Sequence, residues 1–268
     1  MKQKVLFFDI DGTLIWSQAG IMDIPQGVKE QLLKLKAQGH KLFICSGRPK
    51  AMLEDKWCDG TFDGYILTNG AYVEIDGQSI YENRMDYDLS MQTVKMLEEL
   101  KCDYMIATAN HLYIDPRHQE LYQFFVNLRH NDDLFTTKFN RDEVLKKALK
   151  IEANVTNQDK DKIEEYIKKH FGYVINYDEH GSDNAFEFYS PTISKATGIQ
   201  KVLDYYHLDQ EATYAFGDGE NDLEMVEYCH VGVAMGNACS LLKEKANIIC
   251  KSIRENGLEE ILKILFCE

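Results

Sequence analysis

The sequence lacks several features that define whole classes of protein. No apolar stretch among its 268 residues reaches the length of a membrane span. The short apolar run that follows the basic N-terminus meets a charged residue too soon for a secretory leader. Low-complexity segments and repeats of solenoid spacing are absent as well. We therefore expect a globular protein with no membrane partner and no leader.

Positive charge is also scarce. The chain has 30 lysines and arginines against 44 aspartates and glutamates, which gives a formal net charge of −14. A chain this acidic repels the phosphate backbone, so we expect no nucleic-acid partner. A small phosphorylated molecule can still bind where a local site or a metal ion outweighs the overall field.

Cysteine occurs in a pattern that favours neither zinc nor disulfide bonds. There are seven cysteines, an odd number, and no pair has the C-x-x-C spacing. Free thiols are typical of a reducing compartment, so the cysteines predict a cytoplasmic protein.

Continuous apolar runs near both ends of the chain predict strands of a parallel sheet that is covered on both faces. Helical patterns separate these runs, and Ser194 is a candidate N-cap for one of the helices. This alternation predicts an α/β domain with a doubly wound parallel sheet. The predicted strands are 5–9, 41–46, 65–69, 213–218 and 231–235.

The pattern changes in the middle of the chain, which predicts an α+β domain inserted between two halves of the core domain. We expect the core at 1–82 and 188–268, with the insertion at 83–187. The insertion carries an apolar helical stripe, three predicted strands and an amphipathic helix. These are Leu121, Phe124, Phe125 and Leu128 for the stripe, 148–155, 173–178 and 184–189 for the strands, and 160–172 for the helix.

Polar residues lie at the ends of four of the predicted core strands or directly after them. Ligands of open parallel sheets bind beyond the carboxyl ends of the strands, so these residues should gather at one edge of the sheet. Four such groups together make coincidence a poor explanation. They are Asp9 and Asp11, then Ser46, Gly47 and Arg48, then Thr68, Asn69 and Gly70, and finally Asp218, Asn221 and Asp222.

Asp9 and Asp11 should face one site, because residues two apart in an extended segment point the same way. Two carboxylates this close repel each other unless a cation lies between them or one is protonated. A magnesium ion and a general acid are both compatible with the pair. An EF-hand calcium loop is excluded, because counting from Asp9 or from Asp218 puts neither glycine at its sixth position nor glutamate at its twelfth.

The segment "GDGEND" at 217–222 fits a metal loop better than a dinucleotide site, because Asp222 stands where a third glycine belongs.

The segment "CSGRP" at 45–49 is suited to binding an anion, because it offers a hydroxyl, backbone amides and the guanidinium of Arg48. Lys195 opens a predicted helix, where a cation opposes the helix dipole. That placement is understandable if Lys195 binds an anion.

Together these segments resemble the four motifs of the haloacid dehalogenase superfamily, and specifically its Cof-type phosphatases of subclass IIB. The motifs stand here as "DIDGT" at 9–13, "CSGR" at 45–48, Lys195 and "GDGEND" at 217–222. The segment "TNGAYV" at 68–73 is also similar. The resemblance covers the whole chain and implies a Rossmann-like core with an inserted cap domain that selects the substrate.

The resemblance implies a role for each motif residue. Asp9 is expected to attack phosphorus and form an aspartyl-phosphate, and Asp11 is expected to act as acid and then base. Mg²⁺ would be held by Asp9, the Asp11 carbonyl and Asp218. The expected phosphate-binding residues are Asp11, Gly12, Ser46, Gly47 and Lys195; the expected supporting residues are Thr13, Asn221 and Asp222; and the possible substrate contacts are Arg48, Asn69, Asn110, His180 and Asn184.

These residues predict a magnesium-dependent phosphatase for small phosphorylated metabolites, such as sugar phosphates or phosphorylated cofactors, acting as a monomer or homodimer. A phosphomutase would use the same intermediate and return the phosphoryl group to a sugar. A catalytically silent metabolite-binding regulator would keep the fold without turnover. The sequence leaves these two alternatives open.

Overall fold

The computed structural model of the chain describes residues 2–123, 135–155, 158–176 and 184–266. Its strands, in chain order, are β1 (Val5–Phe8), β2 (Lys41–Cys45), β3 (Gly64–Leu67), β4 (Tyr72–Ile75), β5 (Gln78–Glu82), β6 (Asp103–Ala107), β7 (Leu112–Ile114), β8 (Phe135–Thr136), β9 (Lys150–Asn154), β10 (Gly172–Asn176), β11 (Ala185–Tyr189), β12 (Thr213–Gly217), β13 (Val231–Ala234) and β14 (Ile248–Ile249).

The α-helices lie between these strands and after the last of them. They are Gln26–Ala37, Tyr87–Glu99, Arg141–Leu145, Lys160–His170, Lys195–Tyr206, Leu223–Tyr228, Ser240–Lys245 and Gly257–Phe266, and residues 119–123 are also helical. Within the described ranges, every helix is too short or too polar to span a bilayer.

The chain divides into two compact units. The first contains Met1–Gly47, Leu53–Tyr81 and Ser194–Glu268, and the second contains Arg48–Met52 and Glu82–Ile193. The boundaries expected from the sequence, after residues 82 and 187, lie one and six residues from the breaks after Tyr81 and Ile193.

The first unit is built on a sheet with the strand order β14-β13-β12-β1-β2-β3-β4-β5. Every pair from β14 to β3 is parallel, and β4 runs antiparallel to β3. The predicted α/β class and its parallel core sheet are therefore confirmed. The sequence analysis did not predict β4 and β5, the two strands at this edge of the sheet.

Burial on both faces explains the continuous apolar runs. All four residues of β1 are fully buried, and a strand covered on both sides gains from an apolar side chain at each position. Burying one such side chain stabilises the fold by about 1.5–3 kcal/mol. The strand at 65–69 ends earlier than predicted, because β3 stops at Leu67 and a turn follows at Thr68–Gly70.

The second unit has its own sheet, in the order β10-β11-β9-β6-β7-β8. Its pairs are antiparallel apart from β7 with β8. The helices Tyr87–Glu99 and Lys160–His170 contribute Val94, Leu97, Ile163 and Ile167 to an apolar core with residues of β9 and β11. Leu121 of the predicted stripe is buried, whereas Phe124, Phe125 and Leu128 lie outside the described residues.

A buried lysine on β9 is an unexpected polar feature of the second unit. Lys150 is 2% exposed, and its Nζ forms ion pairs with Glu152 and with Glu187 of the neighbouring strand β11, the latter at 2.8 Å. Burial alone would lower the pKa of Lys150, but the two glutamates outweigh it and raise that pKa. The single positive charge of Lys150 is therefore shared between two carboxylates within the sheet.

We predict that Lys150→Met destabilises the protein by about 3–5 kcal/mol, because it leaves two partly buried carboxylates without their shared cation. Urea unfolding of the full chain at neutral pH measures this loss. The control is Lys146→Met, which removes an exposed lysine paired with Glu143 and should change little. Equal stability of the two variants would show that the buried cluster contributes nothing.

Candidate active site

The ends of β1 and β12 bring two acidic segments together. These strands are parallel neighbours, with Phe8 paired to Phe216, so the residues that follow them lie side by side. The backbone N–H of Asp9 donates to the carbonyl of Phe216 at 2.9 Å. The carboxylate of Asp9 is thus fixed beside the loop that begins with Asp218, as the strand ends predict.

Lys195 joins the carboxylates of two strand ends. Its Nζ donates to Asp9 Oδ1 at 2.6 Å and to Asp222 Oδ1 at 2.5 Å. Lys195 is 1% exposed, Asp222 is fully buried and Asp9 is 5% exposed. Burial alone would lower the pKa of Lys195, but Asp222 and Asp9 outweigh that effect and raise it. Lys195 is therefore a permanent cation at this site.

The local sequence around Lys195 explains how the lysine is held. Ser194 is the N-cap of the helix Lys195–Tyr206, and its side chain accepts a hydrogen bond from the N–H of Thr197. The Thr197 hydroxyl accepts in turn from the N–H of Ser194 at 3.0 Å. This capping box satisfies the N–H groups of Ser194 and Thr197 at the helix start and helps to fix the first helical residue, Lys195.

Asp222 holds its own loop as well as Lys195. Its Oδ2 accepts hydrogen bonds from the backbone N–H groups of Asp218 and Gly219, each at 2.9 Å. Both carboxylate oxygens of Asp222 are thus engaged within the protein. This arrangement suits a residue that supports the loop and orients Lys195.

A tight turn after β1 brings Asp218 against the backbone of Gly12. Gly12 has φ +91°, and a Cβ at this position would lie 2.0 Å from Asp218 Oδ2. Thr13 donates to Asp218 Oδ1 at 3.1 Å. Asn237 donates from Nδ2 to the carbonyl of Gly12 at 2.8 Å and also contacts Asp218 Oδ2 at 3.4 Å.

Asn237 is a residue that the sequence reasoning missed. It follows β13 in the segment "MGNA", so the rule that polar side chains gather beyond strand ends could have found it. Its Oδ1 accepts a hydrogen bond from the N–H of Ile253 at 3.0 Å. Asn237 thus ties the turn at Gly12 to the C-terminal part of the first unit.

The acidic residues crowd one another. Asp9, Asp218 and Asp222 each place an oxygen within 4.8 Å of the other two, which makes them a candidate metal cluster among the described residues. Burial and the neighbouring carboxylates of Asp222 and Asp11 raise the pKa of Asp9 to about 7, although Lys195 opposes this. Burial and the charges of Asp9 and Asp222 raise the pKa of Asp218 to about 8.

This donor set fits a small divalent cation. Carboxylate oxygens are the ligands that Mg²⁺ prefers, and a cation between Asp9 and Asp218 would relieve their mutual repulsion. Asp222 has already committed its oxygens to Lys195 and to two amides. The candidate side-chain ligands are therefore Asp9 and Asp218.

The loop after β2 lies next to the turn after β3. Ser46 is 2% exposed, and its N–H donates to the carbonyl of Ile66 at 2.8 Å. The Ser46 carbonyl accepts from the N–H of Asn69 at 3.2 Å. A Cβ on Gly47 would lie 2.9 Å from Asn69 Oδ1, so this loop and the Asn69 side chain are in close contact.

Asn69 also reaches the loop after β12. Its Oδ1 accepts a hydrogen bond from Asn221 Nδ2 at 3.2 Å. The structure therefore brings together, within the first unit, residues from all four predicted strand ends.

The remaining predicted site residues lie outside the cluster formed by Lys195 and its two aspartates. Asp11 is exposed and forms an isolated β-bridge with Ile15. Arg48 begins the short segment that belongs to the second unit. Asn110 is exposed between β6 and β7, Asn184 is half-buried before β11, and His180 lies outside the described residues.

Known proteins match this chain over nearly all of its length. A family model of haloacid dehalogenase-like hydrolases matches residues 6–262. The Bacillus subtilis (strain 168) protein YkrA is 31% identical over 99% of this chain and 98% of its own length. From the same organism, 5-amino-6-(5-phospho-D-ribitylamino)uracil phosphatase YitU is 27% identical over 99% of this chain and 98% of its own.

Solved structures share the fold. The subclass IIB sugar phosphatase BT4131 superposes with a TM-score of 0.85 at 24% identity, covering 98% of this chain and 99% of its own. TM0651 from Thermotoga maritima gives a TM-score of 0.82 at 21% identity, with 99% and 98% covered. The resemblance drawn from the sequence motifs is confirmed at the level of the family.

We predict that Gly12→Ala weakens Mg²⁺ binding by about 10- to 100-fold, because the new methyl group displaces Asp218 from Thr13 and Asn237. Titration calorimetry with MgCl₂ measures this change. The matched control is Gly20→Ala, which has a similar φ of +75° but nothing within 4 Å of its Cβ. Equal Mg²⁺ affinity of the two variants would contradict the assignment of Asp218 as a ligand.

Proposed function

This chain belongs to the haloacid dehalogenase-like hydrolases and is a phosphatase, and on that premise we propose that it hydrolyses small phosphorylated metabolites through an aspartyl-phosphate on Asp9, with Mg²⁺ as cofactor. The observation that carries the proposal is the buried contact of Lys195 with both Asp9 and Asp222, beside Asp218. A fixed cation and clustered carboxylates are suited to binding and transferring a dianionic phosphoryl group.

Asp9 is the nucleophile in this proposal. Lys195 occupies Oδ1, so Oδ2 is the oxygen that forms the new bond to phosphorus. The bond between phosphorus and the substrate oxygen breaks at the same time, and the leaving oxygen takes a proton from the Asp11 carboxyl. The product alcohol departs, and the phosphoryl group stays on Asp9.

Asp11 then acts as a general base in the second half of the reaction. Its carboxylate accepts a proton from a water molecule as the water oxygen bonds to phosphorus. The bond from phosphorus to the Asp9 oxygen breaks, which releases inorganic phosphate and restores the Asp9 carboxylate. Asp11 suits a proton-transfer role because it is exposed, whereas Asp9 is buried.

Asp9, Asp218 and the backbone carbonyl of Asp11 would hold the magnesium ion. When bound, Mg²⁺ supplies positive charge that offsets the carboxylates and the phosphoryl oxygens. Thr13 and Asn237 keep Asp218 oriented toward this site.

The phosphoryl oxygens are held by groups of the first unit. The Ser46 hydroxyl, the backbone amides near Gly12 and Gly47, and the Lys195 ammonium are the proposed donors. Asp222 maintains Lys195 in position, and Asn221 supports the same loop. These contacts strengthen as negative charge accumulates on the transferring group.

The substrate class rests on similarity. The relative YitU is named for a compound that carries a phosphate on a ribityl chain, and this supports a polyol or sugar phosphate as substrate. Arg48, Asn110 and Asn184 stay predictions as contacts to the leaving group.

We predict that phosphate release from a panel of phosphorylated sugars, polyols, nucleotides and cofactors depends on Mg²⁺ and stops when EDTA is added. Release concentrated on sugar or polyol phosphates would support the substrate class, and release that persists in EDTA would contradict the role of Mg²⁺. Turnover that requires a bisphosphate activator would indicate a phosphomutase. Tight binding without turnover of any compound would indicate a regulator.

We predict that Asp9→Asn lowers kcat by at least about 10³-fold, because an amide cannot attack phosphorus effectively. Asp209→Asn is the control, since Asp209 is exposed and carries the same change in charge. Phosphate release by the two variants is compared on the best panel substrate, with circular dichroism to show that both are folded. Residual activity within tenfold of the unsubstituted chain would contradict the nucleophile assignment.

A further inference from the structure

The turn at Thr68–Gly70 has an unusual backbone. Thr68 and Asn69 both have φ 54°, and Gly70 has φ +101°, so three successive residues occupy the left-handed region. Glycine adopts this conformation freely and asparagine tolerates it, but it is strained for the β-branched Thr68. Thr68 and Asn69 are each 1% exposed, so the strained turn lies in the interior of the first unit.

The same turn contains two buried polar atoms that lack a hydrogen-bond partner among the residues that the structure describes. Thr68 Oγ1 and Asn69 Nδ2 make no hydrogen bond to the described residues. A buried donor without a partner costs about 1–3 kcal/mol, and strained backbone costs a similar amount. The turn is therefore poorly optimised for stability, which is typical of segments retained for function.

Asn69 contacts the loop at Ser46–Gly47, which holds phosphate in the proposed function, and the loop after β12. Its N–H donates to the Ser46 carbonyl at 3.2 Å, and its side chain lies against Gly47. Its Oδ1 accepts from Asn221 Nδ2 at 3.2 Å. The backbone of Asn69 thus holds one loop, and its side chain holds the other.

The turn also packs against the start of the lysine helix. A Cβ on Gly70 would lie 2.0 Å from the carbonyl oxygen of Ser194 and 3.3 Å from the backbone nitrogen of Lys195. The segment Thr68–Gly70 is therefore in contact with every loop to which we assign a phosphoryl donor, except the turn at Gly12.

We infer that Asn69 is a positioning residue, whose side chain sets the distance between the loop at Ser46–Gly47 and Asn221. This inference rests on the proposed function for the identity of the bound group, which is a phosphoryl anion. Donors that converge on one anion must be held within a fraction of an ångström, because small displacements weaken every contact at once. Asn221 lies in the loop whose Asp222 holds the donor Lys195, so the buried Asn69 side chain links the Ser46–Gly47 donors to the loop that positions Lys195.

Asn69→Gly tests the inference, because glycine keeps the left-handed backbone and the N–H to Ser46 but removes the side chain. We expect the affinity for inorganic phosphate in the presence of Mg²⁺ to fall by about tenfold or more, and kcat/KM to fall with it. We expect the melting temperature to change by only a few degrees, because removal of the unpaired amide and of the left-handed strain offsets the lost hydrogen bond to Asn221. A residue that only stabilised the fold would lower the melting temperature and leave the phosphate affinity unchanged.

The matched control is Asn256→Gly, which makes the same substitution at a left-handed asparagine (φ 58°) after a 3₁₀ turn away from these loops. It should leave phosphate affinity and kcat/KM unchanged. A double variant that combines Asn69→Gly with Asn221→Ala tests whether Asn69 acts through its contact with Asn221. If Asn69 acts through Asn221, the double variant should be no weaker than Asn221→Ala alone.

Phosphate affinity is measured by titration calorimetry, which does not depend on turnover. Affinity of Asn69→Gly within twofold of the unsubstituted chain would overturn the inference, even if the chain proves to be a phosphatase. Additive losses in the double variant would also overturn it. If no compound is turned over, the proposed function fails, and the affinity of the Asn69 variant for phosphate still decides its role.

Discussion

The architecture of the active site depends on one buried lysine between two carboxylates. Lys195, Asp9 and Asp222 are removed from water together, and such a cluster is tolerated only when its charges are paired and hydrogen-bonded. The lysine lies at the start of a helix, where the dipole is unfavourable for a cation. The two aspartates outweigh that effect, and so they fix the helix against the ends of β1 and β12.

The rest of the site follows from how the chain satisfies this cluster. Asp222 uses its second oxygen to hold two amides of the β12 loop, and this places Asp218 beside Gly12. The absence of a side chain at Gly12 then lets Asp218 approach the β1 turn. Asp222 is therefore committed to its own loop and to Lys195, whereas Asp9 and Asp218 remain the candidate ligands of a metal ion.

Much of this arrangement could be predicted from the sequence. Continuous apolar runs indicate buried parallel strands, and the carboxyl ends of such strands lie at the same edge of the sheet. The N-cap at Ser194 could also be predicted, because a serine directly before a helical pattern is a local sequence signal. The buried Lys150 could not be placed, since its partner Glu187 is distant in sequence and lysine is usually exposed. Asn237 could be placed at the edge of the sheet because it follows a predicted strand, but its contact with Gly12 could not be predicted. The left-handed turn at Thr68–Gly70 was read as the end of a strand, because threonine strongly favours extended backbone.

The most direct test of the account is to identify the covalent intermediate. The chain would be mixed with Mg²⁺ and its best substrate, quenched in acid within milliseconds and digested, and the phosphorylated peptide would be located by mass spectrometry. The account predicts one phosphoryl group, on the peptide that contains Asp9, formed and lost at rates no slower than turnover. Turnover with the phosphoryl group on another residue, or with none on Asp9 at any quench time, would contradict it.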